Sequence, residues 1–397
     1  MFDHAAVRCF HLKTVLLWAL SVTVMASSAV GEPVVQWDYT VGSAYDQSYS
    51  SVSCTDDGGV ILAGTAGTPD PDVTSALISK IGPQGNLQWS VSTVWGLSTR
   101  AEAVRQVHGG YLVCGSAERP EQGLDAFAAR LDILGRMEWH SFLGGSLDDE
   151  VFDFAMTPEG EYLLTGYTES IGAGGKDIWL VKLDEAGREI WSKTYGAAES
   201  EVGYSVTVAP GSGYAVCGSS AGNMLLLRTD TEGSGLWSKL YDNGGSEAGN
   251  SVVGCDGGFL MVGSTRRPDE FQMDVFVVKA GADGEEDWRL VKGGGDNDGG
   301  RDCVCFPDGR LVVLANTMSY GNGSNDIMLI SLSAEGEDLW EWTLGDEYWN
   351  SASAIARDGR MSIFIAGKTW SEPEQSFDVW AIRAIPDSAA VEGGVVP

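Results

Sequence analysis

Residues 182–191, KLDEAGREIW, contain the two residues that decide the fold: a glycine and, four positions later, a tryptophan. The tryptophan recurs along the chain in steps of 52, 50, 52, 46, 51 and 52 residues, and the glycine precedes the last six copies. A period of about 50 residues is typical of proteins built from stacked or radially arranged repeats. The tryptophans are Trp37, Trp89, Trp139, Trp191, Trp237, Trp288 and Trp340, and the glycines are Gly85, Gly135, Gly187, Gly233, Gly284 and Gly336.

Each repeat consists of four short segments with the composition of β-strands. The third segment is an apolar run such as residues 178–181, IWLV, and a tight turn joins it to the strand that carries the tryptophan. A second turn, such as Asp57-Gly58-Gly59, precedes the apolar second segment. No segment has the 3.6-residue apolar period of a helix. Four antiparallel strands repeated seven times predict an all-β protein, a seven-bladed β-propeller in which each tryptophan packs between blades.

The ends of the chain predict how the ring closes. The strand around Trp37 has no three strands before it, whereas the last repeat has no tryptophan strand and carries Ser388 where the turn glycine belongs. We therefore expect residues 34–40 to complete the blade formed by residues 341–385. Closure of this kind removes exposed sheet edges. The predicted propeller spans residues 30–385, and residues 386–397 are interpreted as a flexible tail or the start of a linker.

The frame of residues 182–191, together with the matching residues 130–139, resembles the tryptophan-docking repeats of PQQ-like (quinoprotein-type) propellers. The resemblance covers residues 34–385 and implies the propeller fold of secreted bacterial repeat proteins. The chain also resembles kelch repeats, which place a tryptophan late in each unit of about 50 residues. The quinoprotein enzymes imply a calcium-bound quinone and two adjacent cysteines, but Cys303 and Cys305 are separated by Val304. No cofactor-binding residue can be transferred to this chain.

The first 29 residues are typical of a secretory signal peptide. Arg8 and Lys13 precede an apolar run over residues 14–25, and Ala26-Ser27-Ser28-Ala29 offers small residues for cleavage. We therefore expect a secreted or periplasmic protein. Removal of these residues leaves 23 basic and 55 acidic residues and a formal charge of −32. Such a charge disfavours binding to nucleic acid or anionic membranes, and we expect a monomer without membrane insertion.

Six cysteines remain after cleavage: Cys54, Cys114, Cys217, Cys255, Cys303 and Cys305. Cys114 and Cys217 occupy the same strand position in different repeats, and so do Cys54 and Cys305. Equivalent positions in non-neighbouring blades are too far apart for a disulfide, which needs Cα atoms within about 7 Å. The sequence therefore predicts buried thiols that act as small apolar side chains.

Catalytic groups are scarce. The predicted mature chain contains only two histidines, His108 and His140, and neither stands at a recognisable spacing from a nucleophile. We predict no catalytic residue, and a protein without enzymatic activity is favoured over an enzyme.

The loops that follow the tryptophan strands are rich in glycine and mostly acidic, and in a propeller they meet at one face. Their carboxylates could hold calcium, a hard cation that binds oxygen ligands. The interpretation that each carboxylate caps its own loop by accepting backbone hydrogen bonds is favoured. The acidic candidates are Asp46, Asp148, Asp149, Glu199, Glu247, Asp296, Asp298 and Asp346.

Three tryptophans outside the frame, Trp95, Trp349 and Trp370, lie in or beside loops. Exposed rings could stack on sugars or anchor a protein, and packing in the core is about equally expected. The favoured interpretation is a binding scaffold that uses the loop face for a protein or glycan partner. A carbohydrate-binding or carbohydrate-active propeller is the first alternative, and a quinoprotein-like oxidoreductase is the second.

Overall fold

The computed structural model describes residues 33–268 and 271–385, so the predicted signal peptide and tail lie outside the described residues. Within those ranges the chain forms 28 β-strands in seven four-stranded antiparallel sheets and no helix. The prediction of a seven-bladed all-β propeller is confirmed. We number the blades 1 to 7 in chain order.

Blades 1 to 6 each contain four consecutive strands. Blade 1 is β2 (Gln47–Cys54), β3 (Val60–Gly67), β4 (Thr74–Ile81) and β5 (Leu87–Thr93); blade 2 is β6 (Ser98–Val107), β7 (Gly110–Arg119), β8 (Gly123–Asp132) and β9 (Met137–Leu143). Blade 3 is β10 (Asp149–Met156), β11 (Tyr162–Thr168), β12 (Asp177–Leu183) and β13 (Glu189–Tyr195); blade 4 is β14 (Glu201–Val208), β15 (Tyr214–Ser220), β16 (Asn223–Thr229) and β17 (Gly235–Tyr241). Blade 5 is β18 (Ser246–Cys255), β19 (Gly258–Arg266), β20 (Asp274–Ala280) and β21 (Glu286–Lys292); blade 6 is β22 (Asp298–Cys305), β23 (Leu311–Thr317), β24 (Asp326–Leu332) and β25 (Asp338–Leu344).

Blade 7 joins the two ends of the chain. It contains β26 (Asn350–Arg357), β27 (Ile363–Ser371) and β28 (Ser376–Ile385), and β1 (Val34–Val41) pairs with β28 as its outer strand. The predicted closure is therefore confirmed. The last blade begins at Asn350 and not near residue 341, because residues up to Leu344 still belong to the outer strand of blade 6.

The burial of the strands explains the apolar runs in the sequence. The middle strands, such as β11 and β12, are buried along their whole length, whereas the outer strand β13 contains only exposed and half-buried residues. Both faces of a middle strand are covered by neighbouring blades, so its residues need not alternate between apolar and polar. The outer strands face solvent on the rim of the ring.

In the described residues, the two frame residues contact each other at six of the seven blade boundaries. The indole of Trp139 in blade 2 packs on Gly187 in the turn of blade 3, where a Cβ atom would lie 2.6 Å from the ring. The φ angle of Gly187 is 74°, so any other residue would also be strained there. The same contact joins Trp37 to Gly85, Trp89 to Gly135, Trp191 to Gly233, Trp237 to Gly284, and Trp288 to Gly336.

A second set of contacts joins the blades near the central axis. Each first strand has a β-bulge at the same position of the repeat, and the residue after the bulge faces the neighbouring blade. Asp153 accepts a hydrogen bond from the Val206 amide at 3.0 Å, and Asp302 accepts one from the Ile355 amide at 2.9 Å. These bonds hold blade 3 to blade 4 and blade 6 to blade 7.

The cysteines correct the sequence prediction in part. Cys255 and Cys305 form a disulfide between blades 5 and 6, with their Cα atoms 6.0 Å apart. The prediction of free thiols is wrong for this pair because the two residues lie in neighbouring blades, whereas the argument compared blades that are not neighbours. Cys54, Cys114, Cys217 and Cys303 are free, and burial raises the pKa of the Cys217 thiol to about 12.

Replacing Trp191 by Ala is expected to lower the free energy of unfolding by about 3 kcal/mol, because the lost ring leaves a cavity over Gly233. Gly233→Ala disturbs the same contact, so the double variant should lose less than the sum of the single losses. Urea denaturation of residues 30–397 measures both effects. Phe271→Ala, which removes a ring that is 94% exposed, is the control and should change stability by less than about 0.5 kcal/mol. An unchanged midpoint for Trp191→Ala would refute the docking role.

Alkylation of residues 30–397 in denaturant without reductant is expected to label four thiols, because four cysteines are free and two are bonded. Reduction before alkylation should raise the number to the six cysteines that follow residue 30. Intact-mass spectrometry measures both numbers. Six labelled thiols without reductant would contradict the disulfide, and its removal by Cys255→Ser with Cys305→Ser should cost about 2–4 kcal/mol.

Candidate functional site

The acidic connectors between blades and the loops between second and third strands lie at the same end of the ring, which we call the upper face. Backbone hydrogen bonds join the two kinds of loop: the Glu169 amide donates to the Asp148 carbonyl at 3.0 Å, and the Trp370 amide donates to the Trp349 carbonyl at 2.9 Å. The structure therefore brings these loops together, as the strand order of each blade requires.

A polar residue stands ten positions after each frame tryptophan, at or next to the start of the first strand. Its carboxylate caps the connector in three blades by accepting a hydrogen bond from the amide four residues earlier. Asp149 accepts from Gly145 at 2.7 Å, and Asp298 accepts from Gly294 at 2.8 Å. In blade 4 the cap is Glu201, which accepts from Ala197 at 3.0 Å. The residues at this position are Gln47, Thr99, Asp149, Glu201, Glu247, Asp298 and Asn350.

Glu201 is a buried acid that the sequence interpretation missed, since it named Glu199 in the same loop. Glu199 is exposed, whereas Glu201 is 6% exposed. The constant spacing of ten residues from the tryptophan could have identified the buried acid. Asp296 is likewise exposed, and its neighbour Asp298 occupies the capping position.

The remaining acidic candidates also make local contacts. Asp46 accepts a hydrogen bond from the Phe377 amide at 2.9 Å, which joins the first connector to the last blade. Asp148 accepts from the Leu124 amide at 2.9 Å, and Asp346 accepts from the Asn350 side chain at 2.8 Å. In blade 5, Glu247 accepts from the Thr265 hydroxyl at 2.9 Å. These carboxylates therefore fix the loops of the upper face.

A second row of aspartates at the starts of third strands explains why the connectors contain glycine. Asp378 lies against the Cα atom of Gly42, and Asp326 lies against that of Gly345, so that a Cβ atom at either glycine would overlap the carboxylate. Gly42 and Gly345 are needed for space, because neither has a positive φ angle. The same arrangement joins Asp125 to Gly144, Asp177 to Gly196, and Asp274 to Gly293.

The three candidate tryptophans differ in exposure. Trp95 is 8% exposed, and its ring lies 4.7 Å from that of Phe127, so it packs in the core between blades 1 and 2. Trp349 is 38% exposed on a connector. Trp370 is half-buried and makes an edge contact with Phe377 at 5.1 Å. Only Trp349 offers a substantial exposed ring.

Large apolar side chains are exposed on many upper-face loops. Phe271 is 94% exposed, and Ile171 and Leu147 each expose about half of their surface. Single exposed apolar residues are common on protein surfaces, whereas a large apolar patch on one face can mark an interaction site. In the described residues, the exposed members on these loops are Tyr45, Val94, Leu97, Leu147, Ile171, Phe271, Met273, Met318, Tyr320 and Trp349.

The central channel combines aromatic and charged groups. The rings of Phe152 and Tyr204, which occupy the bulges of blades 3 and 4, lie 5.3 Å apart. The Tyr167 hydroxyl donates to Glu150 at 2.6 Å, and burial together with this carboxylate raises the pKa of Tyr167. The side chain of Arg301 is exposed. The surrounding protein nevertheless displaces much of the bulk solvent around its guanidinium, and this desolvation lowers the pKa of Arg301.

One group of side chains in the described residues has the composition of a metal site. Cys255, Asp256 and Cys305 form the single group of three or more potential metal ligands there, and its two sulfurs are bonded to each other. Across residues 33–268 and 271–385, no helix is long and apolar enough to cross a membrane.

The junction between blades 7 and 1 is expected to respond to pH. Burial, with a smaller contribution from Glu374, raises the pKa of Asp378 from 3.8 to about 6. The folded protein therefore holds this proton more tightly than the unfolded chain. The stabilisation is complete below about pH 4 and is lost as pH rises through about 6.

Wild type should consequently lose stability relative to Asp378→Asn between about pH 4.5 and pH 7, which melting temperatures at both values would show. The control is Asp298→Asn, whose carboxylate caps a connector, and this variant should be less stable than wild type at both values. A constant difference between wild type and Asp378→Asn would contradict the prediction.

The chain matches no protein-family model and no curated protein. It is similar in structure to the WD40 domain of Neurospora crassa Pan2, with a TM-score of 0.58 and 8% identity over 91% of this chain and 98% of that one. It is also similar to a Dyadobacter fermentans protein of unknown function, with a TM-score of 0.51 and 12% identity over 89% and 99% of the two chains. The β-propeller domain of the Trilobed protease from Pyrococcus furiosus has a TM-score of 0.47 and 10% identity over 88% and 99%. At these identities the comparisons show the fold alone: the chain is a β-propeller.

Proposed function

We propose that this protein is an exported propeller without enzymatic activity that binds a partner through its upper face. The observation that carries the proposal is the set of large apolar side chains exposed on the upper-face loops, with Phe271, Tyr320 and Trp349 as its aromatic members. Exposed apolar side chains that share one face of a protein can mark an interaction surface. Aromatic side chains are also the usual anchors of an interface.

The capped loops support a binding role. The connectors are held by buried carboxylates such as Asp149 and Asp298, so the apolar groups beside them are presented by a rigid framework. A rigid surface loses less conformational entropy when a partner binds. Exposed acids such as Glu199 and Asp296 would supply the polar rim that surrounds the apolar anchors of an interface.

Export is part of the proposal. The apolar run over residues 14–25 and the small residues that follow it favour a secreted or periplasmic location. The Cys255–Cys305 disulfide supports the same conclusion, since disulfides persist in oxidising compartments.

We further propose that the repeats belong to the PQQ-like type. The docking of Trp139 on Gly187, and its equivalents around the ring, supports this assignment, because the docked pair consists of the two residues that define the repeat. A glycan is a second candidate partner, because the rings of Tyr320 and Trp349, 41% and 38% exposed, could stack on sugars.

The test compares an upper-face variant with a rim variant. Phe271→Ser, Tyr320→Ser and Trp349→Ser are combined in the first, and Leu134→Ser, Leu236→Ser and Leu240→Ser, which replace rim and turn residues 59%, 58% and 51% exposed, are combined in the second. Immobilised residues 30–397 are exposed to secreted proteins of the producing organism and, separately, to a panel of polysaccharides.

The upper-face variant should bind the retained partner at least about tenfold more weakly, whereas the rim variant should bind it like wild type. Retention of a polysaccharide would identify a lectin, and retention of a protein would identify an interaction scaffold. Equal binding by the upper-face variant and wild type would place the interaction elsewhere and refute the proposal.

A further inference from the structure

The junction between blades 2 and 3 brings two buried carboxylates against Gly144. Asp125 lies in the third strand of blade 2, and Asp149 lies in the first strand of blade 3. Their side chains are buried, with 1% and 0% of the residue surface exposed. A Cβ atom at Gly144 would lie 2.9 Å from Asp125 Oδ1 and 2.6 Å from Asp149 Oδ2, so both acids contact the same backbone atom. Asp148 stands next to them in the connector.

Each of these buried acids has one oxygen without a partner. Asp149 Oδ2 accepts hydrogen bonds from the Gly145 amide and the Ser170 hydroxyl, both at 2.7 Å, and Asp125 Oδ2 pairs with Arg119 at 2.6 Å. Asp125 Oδ1 and Asp149 Oδ1 are buried and have no hydrogen-bond partner among the described residues. A buried charged oxygen without a partner is costly, so a ligand that satisfies both oxygens would relieve a real penalty.

The charge and the space at the junction fit a divalent cation. The side chains of Asp125, Asp149 and Arg119, with Asp148 as a nearby charge, sum to a formal charge of −2. A cavity of about 330 Å³ has room for an ion with bound water, and it adjoins the two acids through Gly144, which lies against both, and through Ser170, which donates to Asp149. Carboxylate oxygens, carbonyl oxygens and water are the ligands of hard cations.

We propose that Asp125 and Asp149 bind a calcium ion between blades 2 and 3, with Oδ1 of each residue as a ligand and with water completing the coordination. Two carboxylates make a weak site, and the affinity should fall in the range of extracellular calcium modules, a Kd of about 10⁻⁴–10⁻³ M. The site joins two blades, so the ion should stabilise the folded ring by mass action. This inference does not depend on the partner proposed for the upper face.

Asp298 in blade 6 is a matched control that the repeat itself provides. Asp298 follows its frame tryptophan by ten residues, as Asp149 does, and it also caps its connector. Both of its oxygens have partners, however: Oδ1 accepts from the Thr317 hydroxyl, and Oδ2 accepts from the Gly294 amide and the Ser319 hydroxyl. The two positions therefore differ in whether a carboxylate oxygen is left without a partner.

The experiment measures the melting temperature of residues 30–397 in EDTA and in 10 mM calcium at constant ionic strength. Wild type should gain about 2–4 °C in calcium. Asp149→Asn should lose this gain, whereas Asp298→Asn should melt lower in EDTA and keep the gain. Terbium binding supplies a direct readout, because the indole of Trp179 lines the same cavity and can sensitise terbium emission.

In wild type and in Asp298→Asn, calcium should displace the bound terbium and abolish its emission. In Asp149→Asn, sensitised terbium emission should be absent. Asp125→Asn is a second variant in case Asp149→Asn does not fold, and it should lose the same signal. The absence of a calcium shift in wild type, or a shift that survives in Asp149→Asn and Asp125→Asn, would overturn the proposal and leave a bound water as the partner of these oxygens.

Discussion

The contact between a tryptophan on one blade and a glycine on the next is the interaction on which the ring depends. It explains why the chain repeats with a period near 50 residues, since each indole must meet a turn that lies one blade further along. The short step of 46 residues between Trp191 and Trp237 preserves the contact with Gly233. The shortening falls in the loop between β15 and β16, which has only Ala221 and Gly222, whereas the equivalent loop of blade 3 spans residues 169–176. This shortening by six residues therefore falls on the upper face.

The inner and upper parts of each junction are polar. They are held by hydrogen bonds and close contacts of carboxylates, whereas the docked tryptophan makes an apolar contact. A carboxylate at the start of a strand accepts the amides of its own connector, and a second aspartate fills the space where a glycine lacks a side chain. These acids replace water at positions where the backbone turns between sheets, which avoids buried amides without partners. The acidic and glycine-rich composition of the loops is therefore mainly a requirement of the junction.

The period, the strand composition and the unmatched ends of the chain were enough to predict the propeller and its closure, because both follow from local pattern and from counting repeats. Side-chain environments were harder to predict. Trp95 and Trp349 lie in equivalent connectors, yet one is buried against Phe127 and the other is exposed. The difference arises from which neighbouring side chains are large, and the repeat pattern does not contain that information. Glu199 and Glu201 are different, because only Glu201 stands ten residues after its tryptophan, and that spacing identifies the buried acid.

The disulfide shows a different limit. Cys255 and Cys305 are separated by 50 residues, one repeat, so they lie in adjacent blades and can approach within bonding distance. Comparing Cys305 with Cys54, its equivalent in a non-neighbouring blade, overlooks Cys255 in the adjacent blade. Proximity in a propeller follows from blade order, and each residue is closest to its counterparts one period before and one period after it.

The distinction between repeated and unrepeated residues also separates structure from function in this fold. Residues that recur in the frame, such as Trp191 and Gly233, are accounted for by contacts between blades. A ligand that binds one face of the ring does not have sevenfold symmetry, so its contacts must come from residues that differ between blades. Phe271 and Tyr320 meet this condition: they stand in upper-face loops of unequal length, they are exposed, and they have no counterpart in the frame. The same reasoning applies to Asp149, whose position repeats but whose second oxygen lacks the partner that its counterpart Asp298 has. Departures from the repeat are therefore where specific binding is to be sought.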